Sequence, residues 1–282
     1  MKTQAFRRKL LQLGTAAIYN SNLSGFTEGR LYKGVSKGLC VPGLNCYSCP
    51  GAVGACPLGS LQGMLTANAE KKKAVFYVIG LLVLFGLLLG RAVCGFLCPF
   101  GLLQELLYRI PVPKVKKNRF TRTLSWVKYI LLAILVIAVP LIYAFPGFCR
   151  YICPAGTLEG GVPLALTNES IRAAIGTMFW WKLGLALSIV IAAMFIYRVF
   201  CRFLCPLGAI YSLFSRVALT GVSVNEDKCV HCGACVRACP MDIRRVGDRE
   251  CIHCGDCMDS CPTGAIGWKY PFKNCGKGRE KV

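Results

Sequence analysis

Nineteen cysteines dominate the chemistry open to this chain, and most fall in spaced motifs. Cys229, Cys232, Cys235 and Cys239 form one C-x2-C-x2-C-x3-C-P unit; Cys251, Cys254, Cys257 and Cys261 form a second. Three closely spaced thiolates wrap one face of a cubane iron–sulfur cluster, and the fourth comes from the other unit because the proline turns the chain away. The expected sets are Cys229, Cys232, Cys235 and Cys261 for one [4Fe–4S] cluster, and Cys251, Cys254, Cys257 and Cys239 for the other. Small residues between the ligands, Gly233, Ala234 and Gly255, leave room for backbone N–H groups to reach the cluster. Zinc also uses repeated C-x2-C, but it does not ask for this doubled four-cysteine run.

A second pattern, C-x3-C-P, occurs at Cys94/Cys98, Cys149/Cys153 and Cys201/Cys205. Positions i and i+4 share one face of a helix, so two thiolates can hold one cluster edge. The proline ends or kinks the turn and frees backbone donors nearby. The chain also repeats itself: RAVCGFLCPFGLLQELLYR (91–109) aligns without a gap with RVFCRFLCPLGAIYSLFSR (198–216), and CPLGSLQG (56–63) with CPAGTLEG (153–160). The repeat pairs Cys94, Cys98, Cys201 and Cys205 as an inner membrane cluster. It directs Cys149 and Cys153 to cysteines of the first half, where Cys40, Cys46, Cys49 and Cys56 are available. Cys49 and Cys56, both followed by proline, are the expected partners of an outer cluster. Cys40 and Cys46 are then left for an external disulfide; a cluster held by the four N-terminal cysteines alone is the competing assignment. Cys275 stands alone and is read as a free thiol.

The elements that carry these motifs are apolar. Hydrophobic residues make up 55% of the chain and charged residues 17%, which excludes a disordered chain. Spans are expected over 74–90, 129–145 and 178–200, each near the minimum for a core of ~30 Å. Trp126, Trp180 and Trp181 sit near span ends, where indole rings prefer the interface. The net charge is +21, with 34 basic and 13 acidic residues. Such a surplus can serve nucleic acid, but positive-inside orientation accounts for it and no nucleic-acid partner is expected. Residues 91–125 carry seven basic residues against Glu105 alone, whereas 146–176 balances Arg150 and Arg172 with Glu159 and Glu169. The first loop is therefore expected in the cytoplasm and the second outside, which returns the ferredoxin units to the cytoplasm. Residues 10–29 read as a fourth span, an interfacial helix or, given Arg7 and Arg8, an export signal; Lys71, Lys72 and Lys73 conflict with an external 27–73 segment.

The expected architecture is a polytopic α-helical membrane domain with an internal two-fold repeat (1–218), a small α+β double-cluster ferredoxin domain (219–268) and a basic tail (269–282), in the cell inner membrane. The tail could meet an acidic partner or anionic lipid, or simply be solvated. With only His231 and His253 present, a bis-histidine haem is excluded, and no haem is expected.

In these motifs the chain resembles the NapH-type polytopic membrane ferredoxins, whose relatives include NosR and CcoG. That family implies four spans, cytoplasmic termini, and two C-x3-C-P motifs matched here by Cys94/Cys98 and Cys201/Cys205. The third motif at Cys149/Cys153 and the cysteine-rich 40–56 segment are departures. The resemblance implies electron transfer between quinol or a reduced carrier and a partner oxidoreductase or flavoprotein. Three functions follow: a conduit from a cytoplasmic donor to an external acceptor, with clusters at both faces; a quinol-oxidising subunit, with Glu105 or Glu159 as proton acceptor; or a redox assembly factor or metal reductase. Sixteen cysteines assign in four sets of four, so iron analysis of fully loaded protein should give four [4Fe–4S] clusters. Cys98→Ser and Cys205→Ser should damage one and the same electron paramagnetic resonance signal.

Overall fold

The computed structural model describes residues 3–67, 74–115 and 117–270. Cys275, Lys71 to Lys73, Lys116 and the tail beyond Tyr270 lie outside the described residues. The chain is mostly helical. Two helices, Phe120–Tyr143 and Thr177–Phe195, are long and apolar enough to cross a membrane by length and composition, and Ala74–Leu89 is a shorter apolar helix. Phe120–Tyr143 begins well before the expected 129 because polar Arg122, Thr123 and Ser125 continue the same helical run. Pro140 is accommodated beside a wide turn over Leu132–Ala138, where the i→i+5 pattern absorbs its missing N–H. All three helices turn large apolar side chains outward, among them Phe76, Leu84, Ile130, Ile134, Leu141, Leu187 and Ile191.

Each apolar helix is followed by a very short helix and then a proline-initiated one. Ala92–Phe96 precedes Pro99–Leu107, and Val199–Phe203 precedes Pro206–Phe214. Pro57–Leu65 has the same start, with Cys56 at the cap and proline at the first helical position, where a missing N–H costs nothing. The ferredoxin units are closed by two strands, Gly221–Val224 and Ile266–Lys269, paired antiparallel with Gly221 opposite Lys269 and Val224 opposite Ile266. His231 and His253, each two residues after the first cysteine of a unit, take left-handed backbone angles that let the chain curl around the cysteines. Trp268 packs edge-on against Phe96 at 5.9 Å, seating this module on the Ala92–Phe96 helix.

The N-terminal helix runs over Thr3–Tyr19 and stops there, not over 10–29. It lies against the helices that carry Cys94, Cys98 and Glu105. Arg8 is buried, and its Nη1 donates to Glu105 Oε1 at 2.6 Å. The pair of arginines read as an export signal thus includes one engaged in the core.

Glu105 anchors the assembly. The same Oε1 accepts from Tyr197 Oη at 2.7 Å and from Arg198 Nη2 at 2.7 Å. Burial alone would raise its carboxyl, but Arg198 and Arg8 outweigh that and hold it at about 2. Glu105→Gln leaves two buried guanidinium groups facing a neutral amide, which should cost about 3–5 kcal/mol in unfolding measured in detergent. Glu169→Gln breaks only the exposed pair with Arg172 and should cost less than about 1 kcal/mol.

Candidate iron–sulfur centres

Outside the ferredoxin module, the four C-P-x-G sequences share one local geometry. In each, the cysteine caps a helix start and its sulfur lies beside the backbone N–H of the glycine three residues on, Gly59 for Cys56, Gly101 for Cys98, Gly156 for Cys153 and Gly208 for Cys205, the last donating at 3.4 Å. N–H groups freed at a helix start favour a negative partner such as a thiolate. At Gly101 a Cβ would lie 3.0 Å from the Cys94 carbonyl and 3.2 Å from Arg198, so only glycine lets the arginine cross there.

Cys94, Cys98, Cys201 and Cys205 come together, all buried and each in electrostatic range of the others. Gln104 Nε2 donates to Cys201 Sγ at 3.1 Å while its Oε1 accepts the Phe200 N–H at 3.0 Å. Gln62 makes the same two bonds elsewhere, to Cys149 Sγ at 3.2 Å and from the Phe148 N–H at 3.0 Å. Cys149 and Cys153 line a 440 Å³ cavity with Cys56 and Cys46. Cys49 does not line it: its thiol faces Asn20 Oδ1 at 3.5 Å. The chain between Leu44 and Cys49 turns so that Cys46, not Cys49, meets Cys56. Cys40 and Cys46, expected as a disulfide, are both free; Cys40 is held apart by its bridge to Ala55.

In the ferredoxin module, Cys229, Cys232, Cys235 and Cys261 line one cavity of 210 Å³. Cys251, Cys254 and Cys257 each lie in electrostatic range of Cys239, which joins them as a second group, and Cys257 also senses Cys235. Buried His253 accepts the Val222 N–H on Nδ1 at 3.0 Å; burial, then Arg91 and Lys269, lower it to about 4, so it is a neutral acceptor joining this loop to the first strand.

The groups touch in series. Ile252, between Cys251 and Cys254, presses its carbonyl onto Gly95, where a Cβ would lie only 2.5 Å away. At the other side, consecutive amides face different sites: the Leu44 N–H lies beside Cys98 and the Asn45 N–H beside Cys56. That limits the two sulfurs to a separation of roughly 12 Å. Tyr211 lies in range of Cys94, Cys98 and Cys56, and its hydroxyl donates to the Pro42 carbonyl at 2.9 Å. The inner and outer cysteine sets are therefore neighbours in the fold. The reason is that residues 40–56 fold inward against Leu97 and Cys98.

Charge fits clusters at these positions. Arg8, Arg91, Lys128, Arg198 and Arg202 are buried around the inner cysteines against the buried acids Glu105 and Glu250; the more exposed Asp256 and Asp242 pair with Arg8 and Arg202, and positive charge remains in excess. Glu250 accepts from Arg91 at 2.7 Å and Lys128 at 2.6 Å; burial would raise it, but both cations hold it at about 2. Arg91 spends Nη1 on Glu250 and the Arg249 carbonyl, leaving buried Nε and Nη2 without partners. Nη2 lies 3.8 Å from the Cβ position of Gly208, beside Cys205. Unpaired buried donors and uncompensated charge are costly, and a negatively charged thiolate-bound cluster satisfies both. Glu105, a candidate proton acceptor by sequence, is instead a locked counter-ion. Glu159 is different: its Oε2 accepts the Cys46 N–H at 2.8 Å, and burial pushes it up to about 7 despite that bond. Spacing alone revealed neither glutamine nor arginine, yet both were visible in the aligned repeats, as Gln six residues after Cys56 and Cys98 and as Arg three residues before Cys94 and Cys201.

Known proteins agree with this chemistry. A family profile described as a 4Fe-4S binding domain matches residues 74–118, 127–162 and 177–222, and a second so described matches 222–245 and 247–267. An uncharacterised protein of Methanocaldococcus jannaschii is 32% identical over 57% of this chain and 56% of its own. The regulatory protein NosR of Pseudomonas aeruginosa is 32% identical over 54% of this chain and 21% of its own. The methylamine utilization ferredoxin-type protein MauN of Methylorubrum extorquens is 27% identical over 65% of this chain and 59% of its own. The chain thus spans less than two thirds of each relative. No solved structure matches it. With two 4Fe-4S binding profiles along the chain and relatives of this kind, the chain carries 4Fe–4S binding domains and is similar to the NapH/NosR-like 4Fe–4S ferredoxin-type proteins.

Proposed function

We propose that this protein is a multi-pass membrane electron-transfer protein with four [4Fe–4S] clusters. It would connect a donor on the cytoplasmic, ferredoxin side with an acceptor on the other side of an inner membrane. The ligand sets are Cys229, Cys232, Cys235 and Cys261; Cys239, Cys251, Cys254 and Cys257; Cys94, Cys98, Cys201 and Cys205; and Cys46, Cys56, Cys149 and Cys153. When bound, such clusters supply one-electron storage and transfer. The observation that carries the reading is the pair of consecutive amides at Leu44 and Asn45, which ties Cys98 of one set to Cys56 of the next. Ile252 on Gly95 makes the corresponding junction with the ferredoxin module. Outward-facing apolar side chains on the three apolar helices support the membrane setting, since a soluble chain rarely exposes so much contiguous apolar surface. The repeated glutamine bonds at Gln62 and Gln104 support two related halves.

A second reading, quinol oxidation at the outer site, has one observation in its favour. Half-buried Glu159 accepts the N–H of Cys46, which lines the outer cavity together with Lys182. The two readings part in sealed vesicles with an impermeant reductant at the ferredoxin face and an impermeant acceptor trapped inside. Wild type should reduce the trapped acceptor; Cys153→Ser should block that transfer while the ferredoxin clusters remain reducible. Transfer by Cys153→Ser at the wild-type rate refutes the series path.

The outer ligand set has its own test. Cys46→Ser should remove about one cluster's iron and one paramagnetic signal, and Cys49→Ser should leave both unchanged. The reverse result restores Cys49 as the ligand.

A further inference from the structure

A strongly basic cavity has no role in the proposed path. It measures about 540 Å³ and is lined by Arg122, Arg216, Arg244, Arg245 and Arg249. The one acid lining it, Asp248, is already occupied. Its Oδ2 accepts from Arg122 at 3.2 Å and from the Arg244 N–H at 3.0 Å, and its Oδ1 accepts the Arg249 N–H at 2.7 Å. Among the described residues, Arg216, Arg244 and Arg245 have no carboxylate partner. Clustered guanidinium groups repel one another unless an anion joins them, and their planar forks match phosphate oxygens.

The position of the cavity says which anion. Trp126, early in the Phe120–Tyr143 helix, forms one wall, and Arg249 stacks on its ring at 4.1 Å. Below Trp126 the same helix exposes Ile130, Ile134, Ile137 and Leu141 at three- and four-residue spacing, a continuous apolar stripe. Leu213 and Val217 are exposed on either side of Arg216. An anion held here has arginines about its head and apolar surface leading away from it. Basic pockets of this kind at the cytoplasmic end of a span suit lipid headgroups.

We propose that this cavity binds the phosphate of an anionic phospholipid headgroup, at the seam between the Phe120–Tyr143 helix and the ferredoxin module. The inference rests on the reading of that helix as a membrane span. Arg249 and Glu250 directly precede Cys251, and Glu250 holds Arg91 and Lys128. A bound lipid therefore braces the loop that seats the ferredoxin module on the inner cysteines.

The test uses cluster-loaded protein in neutral detergent, titrated separately with phosphatidylglycerol, phosphatidylcholine and inorganic phosphate, with bound species resolved by native mass spectrometry. Wild type should prefer phosphatidylglycerol to phosphatidylcholine. Arg216→Gln with Arg245→Gln should weaken phosphatidylglycerol binding on the order of tenfold, with iron content and phosphatidylcholine binding unchanged. The charge-preserving Arg216→Lys with Arg245→Lys should retain part of the preference. Equal binding of the two lipids, wild-type affinity in the glutamine variant, or inorganic phosphate binding as tightly as phosphatidylglycerol overturns the proposal. A chain that stays monodisperse after detergent removal refutes the membrane reading itself, and the proposal with it.

Discussion

Around the inner cysteines, cations and thiols are buried together where water does not reach, and the rest of the molecule is arranged to make that tolerable. Arg91, Lys128 and Arg198 are fully buried, and Glu105 and Glu250 are nearly so. Ions in such a setting persist only when each is paired and hydrogen-bonded. Glu105 meets this need by drawing in the N-terminal helix through Arg8, and Glu250 meets it by drawing in the ferredoxin module. Two segments far apart in sequence are thereby docked on the same centre by charge as well as by packing.

The remaining surplus of positive charge links fold to cofactor. Hydrogen bonds and charge near cluster sulfurs are among the levers that set reduction potential. Arg91 joins both sides of a junction: Nη1 holds the residues just before Cys251, while Nε and Nη2 stay free beside the inner thiols. Docking of the ferredoxin module and the electrostatic surroundings of the inner site are therefore coupled through one side chain.

The helix-capping cysteine extends the same economy to local structure. A thiolate at the start of a proline-initiated helix receives the glycine N–H that the helix itself leaves unpaired. Gln62 and Gln104 each reach to a cysteine of the opposite C-x3-C-P motif and to the backbone just before it. Each site is thus assembled from two distant segments, with one contributing the cap and the other the facing turn.

Much of this was legible in the residues alone. The ferredoxin sets follow from spacing because cubane geometry demands three near thiolates and one distant one. The inner set follows because two aligned segments each offer two thiols on one helical face. The apolar runs announce the long helices, though Phe120–Tyr143 starts earlier than hydropathy suggests because its first turns face water and the ferredoxin module. What spacing could not decide was the segment from Cys40 to Cys56. Proline after Cys49 and Cys56 made both look alike, but only the folded chain brings Cys46 to the cavity and turns Cys49 toward Asn20. Spacing likewise could not say how near the two sets lie; the folded chain makes them neighbours because the Leu44–Asn45 backbone runs between Cys98 and Cys56. The pairing of Glu105 with Arg8 and Arg198 was equally hidden, since nothing local in a sequence records which distant charges will share one dry pocket.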